Sequence, residues 1–127
     1  MKAKAIKTRR IIMTRRSALC PTCGAACKRH SNGRRRLREI GVTGPTIVEV
    51  TYSKHYCERC RKHFSVGMEC LAPAYGRFTN RVRRTAVDLV IKQALTLEKA
   101  TQRMRQKYFV HIPPTTLHDW VMEALVA

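Results

Sequence analysis

The segment 46–56 alternates apolar and polar side chains, with valine and tyrosine residues on one face. A period of two over this length predicts a half-buried β-strand. Shorter segments at 35–40 and 62–66 predict two further strands, and turn signals occur at 31–33 and 41–45. The middle of the chain is therefore predicted to form a sheet of about three antiparallel strands.

The last third of the chain has the apolar spacing of helices. Thr79 or Asn80 is predicted to cap a first helix that ends near residue 95, and Thr96 a second. Pro114 fits the first position of a third helix. The third helix carries an apolar stripe of Leu117, Trp120, Val121, Ala124 and Leu125. Three short helices predict a helix-turn-helix module of the homeodomain-like kind, with an ordinary three-helix bundle as the alternative.

Four cysteines form two pairs of Cys-x2-Cys spacing, Cys20 with Cys23 and Cys57 with Cys60. Each turn of this spacing places two sulfurs on one side, and four thiolates facing each other suit tetrahedral Zn²⁺. The prediction is one structural zinc in a small zinc ribbon, with no ligand position open for a catalytic water. A rubredoxin-type iron site and a redox cysteine pair are the alternatives. The fold class is thus α+β, a zinc ribbon followed by three helices.

Further cysteines and histidines lie near these pairs. Cys27 is an alternative ligand or a spare buried thiol, and Cys70 completes an even count of six cysteines. His55 and His63 flank the second pair and are predicted to be exposed strand residues, because four cysteines already complete a tetrahedron.

The charge of the chain is strongly positive. Its 26 Lys and Arg residues against 8 acids give a net charge of +18, which indicates a polyanionic partner. No acidic residue precedes Glu39. The first 16 residues contain only short apolar pieces, too short for a secretion signal or a membrane span. We therefore expect a reducing, cytoplasmic and nucleoid-associated location, with no membrane partner.

The predicted organisation has four parts. Residues 1–16 form a basic flexible arm, since they contain too few apolar side chains to fold alone. Residues 17–70 form the zinc ribbon, 71–78 a linker, and 79–127 the helix-turn-helix module.

Basic residues are predicted to grip a nucleic-acid backbone, and the start of the third helix is predicted to reach base edges. The backbone set is Arg9, Arg10, Arg15, Arg16, Arg34, Arg35, Arg36, Arg38, Arg81, Arg83 and Arg84, and the base-reading set is Thr115, Thr116 and His118. Trp120 is predicted to lie in the helical core.

These motifs in this order resemble one protein family. They are Cys20-Pro-Thr-Cys-Gly, the basic segment 34–38, Cys57-x2-Cys60 followed by Phe64, Leu71-Ala72-Pro73, and the segment 77–81. Residues 17–125 resemble the N-terminal region of bacterial insertion-sequence transposases of the ISL-three type. The resemblance implies a zinc finger and a helix-turn-helix that bind the terminal inverted repeats of a transposon. Two features depart from the family pattern: Phe64 lacks an acidic residue soon after it, and the RNase H-like catalytic domain is absent from this chain.

The sequence therefore predicts zinc-dependent, sequence-specific binding of double-stranded DNA. The catalytic domain would be missing or supplied separately, so the chain is not expected to be an enzyme. A stand-alone transcriptional regulator and an RNA- or ribosome-binding zinc protein are the alternatives. A homodimer is plausible, because one module of this size reads few base pairs.

Overall fold

The computed structural model describes residues 5–65, 71–72 and 76–126, which form a mixed sheet and three helices. In chain order the elements are β1 (Lys7–Met13), β2 (Ser17–Leu19), β3 (Ala26–Glu39), β4 (Thr46–Cys57), β5 (Lys62–Ser65), α1 (Asn80–Ile91), α2 (Leu97–Tyr108) and α3 (Pro114–Val126). The predicted α+β class is confirmed.

A long antiparallel hairpin of β3 and β4 forms the centre of the sheet. β1 lies parallel to β4, β5 pairs with the far end of β4, and β2 pairs with the start of β3. The sheet thus has five strands instead of the predicted three. Two of the additional pairings involve the N-terminal segment, whose own composition contains little strand signal.

The prediction of a flexible arm at 1–16 is wrong for β1. Ile11 and Met13 pack beside buried Val48 and Val50, and the backbone N–H of Lys7 donates to the carbonyl of Pro45 at 2.9 Å. β1 obtains both its hydrogen bonds and its apolar contacts from β4. Such partners are distant in sequence, so local composition could not reveal them.

The predicted turn at 31–33 is also wrong, because these residues continue β3. The register shifts between Arg29 and Ser31, which leaves a bulge there. Gly33 lies opposite Tyr52, and a Cβ at this position would collide with the tyrosine ring. Gly33 therefore allows β3 and the Tyr52 side chain of β4 to approach closely, and it does not reverse the chain.

Three helices occur where the sequence predicts them, and their contacts bury one apolar core. Thr79 and Thr96 cap α1 and α2, and α3 begins at Pro114. α1 ends at Ile91, earlier than predicted, and Ala94 takes a left-handed conformation with φ 55° as the chain reverses. The buried core of the helices consists of Val82, Ala86, Val87, Leu89, Ala100, Met104, Val110, Ile112, Leu117 and Val121.

The described parts of the predicted linker pack against both modules. Ala72 is buried with the sheet core, and Phe78 forms a parallel β-bridge with Arg38. At this junction the hydroxyl of Thr79 donates to buried Glu39 at 2.8 Å, and it also accepts from the backbone N–H of Val82 at 3.3 Å. One hydroxyl thus caps α1 and connects it to the end of β3.

Substituting Thr79 by valine is expected to destabilise the protein by about 2 to 4 kcal/mol. The change removes an N-cap worth about 1 kcal/mol and leaves the buried carboxylate without this donor. Thr96→Val is the matched control, because Thr96 caps α2 in the same way but is exposed. Urea unfolding of both variants measures the difference, and equal losses in the two variants would contradict a special role for the junction.

Candidate metal centre and basic surface

The four paired cysteines converge at one end of the sheet. The Sγ atoms of Cys20, Cys23, Cys57 and Cys60 all lie within 4.8 Å of one another. The distance from Cys20 Sγ to Cys60 Sγ is 3.9 Å, and that from Cys23 Sγ to Cys57 Sγ is 3.6 Å. A tetrahedron with metal–sulfur bonds of about 2.3 Å has edges of about 3.8 Å. The cluster therefore has the size needed to hold one metal ion.

Local backbone geometry builds each of the two cysteine turns. In the first, the N–H of Gly24 donates to the carbonyl of Cys20 at 2.8 Å, and Gly24 has φ 76°, which glycine adopts without a Cβ clash. In the second, the N–H of Cys60 donates to Cys57 Sγ at 3.4 Å, and Arg61 takes the left-handed conformation with φ 53°. β4 runs directly into this second turn, so the long hairpin fixes the position of Cys57.

The cysteine thiols differ in acidity because of these hydrogen bonds. The backbone N–H of Cys23 lowers the pKa of Cys20 to about 6. The backbone N–H of Cys60 likewise lowers the pKa of Cys57. Contact with the side chain of Cys23 raises the pKa of Cys60 to about 12. One thiol in each turn is thus more acidic than usual, and a bound cation would favour loss of the remaining protons.

Cys27 lies beside the cluster but does not join the four. Burial raises its pKa to about 11, and its thiol donates to the carbonyl of Ala25 at 3.4 Å. Cys70, whose role the sequence leaves open, lies outside the described residues. The four predicted ligands are therefore the ones that the fold brings together.

The expectation that His55 is exposed is wrong, since this side chain is fully buried. Its Nδ1 lies 3.0 Å from the carbonyl of Cys27, its Nε2 lies 2.9 Å from Ser53 Oγ, and its ring stacks on Phe64. Beyond Tyr52 the buried side chains of β4 change to the other face, where Ser53, His55 and Cys57 are buried. His55 thus supports the backbone around the cluster, whereas His63 is exposed.

Exposed arginines occupy one face of the sheet. Arg34, Arg36 and Arg38 alternate along β3, and Arg10 on β1 lies on the same face across Glu49 of β4. We call these four arginines the outer face. Arginines two residues apart on a strand are separated by about 6.7 Å, so the outer face presents a regular row of positive charge.

Other predicted arginines are placed differently. Arg35 points to the opposite face and donates to the carbonyl of Gly76 at 2.6 Å, so it connects the sheet to the segment before α1. Arg9 is exposed on β1 and alternates with Arg10. Arg15 and Arg16 are exposed between β1 and β2, and their backbone groups bond to Ser53 and Arg29.

The helices carry the remaining predicted residues. Arg81 and Arg84 are exposed on α1, whereas Arg83 pairs with Glu123 and lies over the ring of Trp120. On α3, Thr115 and His118 are exposed and Thr116 is half-buried. His118 Nδ1 lies 3.7 Å from the carboxylate of Asp119.

A cleft of about 360 Å³ joins the end of the outer face to the start of α3. We call it the arginine–aromatic cleft, and its walls include Arg38, Arg77, Phe78, Arg83, Thr116 and Trp120. Sequence reasoning missed Arg77 and Phe78 as site residues and placed Trp120 wholly in the core. Trp120 both packs against the helical core and lines the cleft. The Arg-Phe pair just before an N-cap threonine is the only local signal for this site.

Comparison with protein-family models, with curated proteins and with solved structures found no match to this chain. Within the described residues, no helix has the length and apolar character needed to cross a membrane. The fold and the site define an α+β protein with a four-cysteine cluster suited to one metal ion.

Proposed function

We propose that this protein binds double-stranded DNA in a sequence-specific and zinc-dependent manner. The observation that carries the proposal is the continuity of the outer face with the start of α3. Arg38 belongs to the arginine row on β3 and also lines the cleft together with Thr116 of α3. A single surface thus combines guanidinium groups that suit phosphates with polar side chains that suit base edges.

The metal is proposed to be one structural Zn²⁺ held by Cys20, Cys23, Cys57 and Cys60. Among the described residues, the buried cluster around these cysteines adds Cys27 and half-buried Phe64. This is a small apolar core, and metal binding would add stability to this end of the sheet. Metal analysis of the purified chain distinguishes zinc from the iron of a rubredoxin-type site.

The helices are proposed to act as a helix-turn-helix. α2 and α3 are joined by the short segment 109–113, and Leu117 and Val121 fix one face of α3 in the core. This burial leaves Thr115 and His118 exposed at the start of α3, the part of a recognition helix that reaches bases. Arg81 and Arg84 on α1 would then contact the flanking phosphates.

The sequence resemblance further suggests that the DNA site is a terminal inverted repeat and that the chain is the end-recognition region of a transposase. An operator site would instead support a transcriptional regulator. Because these two functions share the same DNA-binding chemistry, the selected DNA sequence distinguishes them.

Selection from a randomised duplex library tests the proposal. Zinc-loaded protein is expected to enrich one motif, and chelator-stripped protein is expected to enrich none, because the ribbon requires its metal. His118→Ala is expected to relax the motif at one or two positions, whereas Arg105→Ala on the exposed side of α2 should leave it unchanged. Tight binding without enrichment would contradict sequence specificity, and a preference for structured RNA in competition would favour the RNA-binding alternative.

A further inference from the structure

The arginine–aromatic cleft has a layered construction. The rings of Phe78 and Trp120 meet edge to face, with centroids 5.4 Å apart and an interplanar angle of 87°. The Arg38 guanidinium lies 5.7 Å from the centre of the Phe78 ring, and the Arg83 guanidinium lies 5.9 Å from the centre of the Trp120 ring. Each ring thus has a guanidinium group within cation–π distance of its centre.

Further contacts hold both cations in place. Arg38 Nη1 lies 3.4 Å from the carbonyl of His111, which follows α2. Arg83 pairs with the carboxylate of Glu123 on α3. Nucleobases stack on both aromatic rings and guanidinium planes, and the cleft supplies both kinds of group.

The charge of the cleft is positive even after internal pairing. Glu123 offsets Arg83, which leaves Arg38 and Arg77 as excess positive charges. Arg77 is exposed and forms no ion pair within the part of the chain that the structure describes. Its backbone carbonyl accepts from the N–H of Arg38 at 2.8 Å, which fixes the base of the side chain at the rim. A planar ligand with an attached anion matches these features.

We propose that the arginine–aromatic cleft receives one unpaired nucleotide. The base stacks on the aromatic and guanidinium groups of the cleft, Thr116 offers a hydroxyl to its edge, and Arg77 holds the attached phosphate. This assignment deepens the proposed function and rests on it for the source of the nucleotide, which is an unpaired position within bound DNA. A paired base cannot enter the cleft without leaving its stack, so a bulged or terminal nucleotide enters at lower cost.

The experiment compares a matched duplex with the same duplex carrying one bulged adenine. Trp120 is the only tryptophan of the chain, so its fluorescence reports on the cleft directly. The bulged duplex is expected to bind roughly tenfold more tightly, since stacking of one base typically contributes that much. It should also quench Trp120 more strongly than the matched duplex does.

Arg77→Ala is the decisive variant, because the Arg77 side chain is exposed and the bond to Arg38 uses only its backbone carbonyl. It should reduce the preference for the bulge, because the phosphate of the unpaired nucleotide loses its cation, while matched-duplex binding persists. Arg105→Ala removes the same charge from α2 and should keep the full preference. Equal binding of both duplexes by the natural chain, or an unchanged preference in Arg77→Ala, would overturn the assignment.

Competition with a free nucleotide distinguishes the two possible ligands of the cleft, an unpaired position within DNA and a soluble nucleotide. Deoxyadenosine monophosphate at millimolar concentration should compete only weakly for the bulged duplex. Strong quenching of Trp120 by the free nucleotide, with no preference for the bulge, would place a soluble nucleotide in the cleft and overturn the DNA source. Absence of binding to either duplex would refute the proposed function itself, which is a different result from matched binding without a bulge preference.

Discussion

Substituting Cys57 by serine is expected to abolish metal binding and to unfold the cysteine end of the sheet. Cys57 is buried at the end of β4, and it forms an edge of the thiolate cluster with Cys23. Structural zinc sites of this type supply roughly 10 to 16 kcal/mol, which is comparable to the whole stability of a small domain. Metal content by native mass spectrometry and the dispersion of amide NMR signals from β3, β4 and β5 measure the loss.

Cys27→Ser provides the matched control for this prediction. Cys27 is also buried and packs beside these cysteines. Its thiol bonds to a backbone carbonyl, however, and it lies outside the group of four. The variant should retain one metal ion per chain and a folded sheet. Loss of the metal in Cys27→Ser, or its retention in Cys57→Ser, would show that the ligand set is wrong.

The helices and their starting points could be predicted from the sequence because their signals are local. Thr79 and Thr96 accept from the backbone N–H three residues ahead, an interaction that depends only on neighbouring residues. Pro114 acts in the same local way at the start of α3. The end of α1 was harder to predict, since apolar residues continue past Ile91 while the chain already reverses at Ala94.

The strands show why the rest of the fold could not be predicted from the sequence. β4 was found from its period of two, but β1 and the first half of β3 depend on partners far away in sequence. Lys7–Met13 has a basic composition typical of a disordered segment, yet β4 gives it a full set of parallel pairings. Burial of His55 likewise results from the change of buried face within β4, which a single alternating pattern cannot indicate.

The candidate site also has a part that local sequence patterns predict and a part that depends on the fold. The spacing of the four cysteines is a local pattern, and it predicts the four residues that converge in the described part of the chain. The sequence predicts one role for the arginine run 34–36, whereas the strand register places Arg35 on the opposite face from its neighbours. The arginine–aromatic cleft combines residues from β3, the segment before α1, and two helices, so only the assembled fold reveals it.

Duplex affinity is expected to fall by roughly 10³ to 10⁵ between 50 and 200 mM salt. This range corresponds to about six to ten phosphate contacts, each of which releases condensed counterions when an arginine or lysine binds. The four arginines of the outer face, together with Arg81 and Arg84, offer six exposed guanidinium groups, which matches the lower end of this range. Fluorescence anisotropy at four salt concentrations gives the slope of log affinity against log salt.

Neighbouring arginines on β3 make this prediction specific to the outer face. Arg36→Ala removes one exposed contact and should reduce the magnitude of the slope by about 0.9. Arg35→Ala removes the same charge one residue away, but its guanidinium faces inward to the carbonyl of Gly76, so the slope should stay unchanged. A flat salt response in the natural chain would contradict electrostatic DNA binding. An equal change of slope in both variants would show that net charge, and not the geometry of the outer face, determines how the protein holds the duplex.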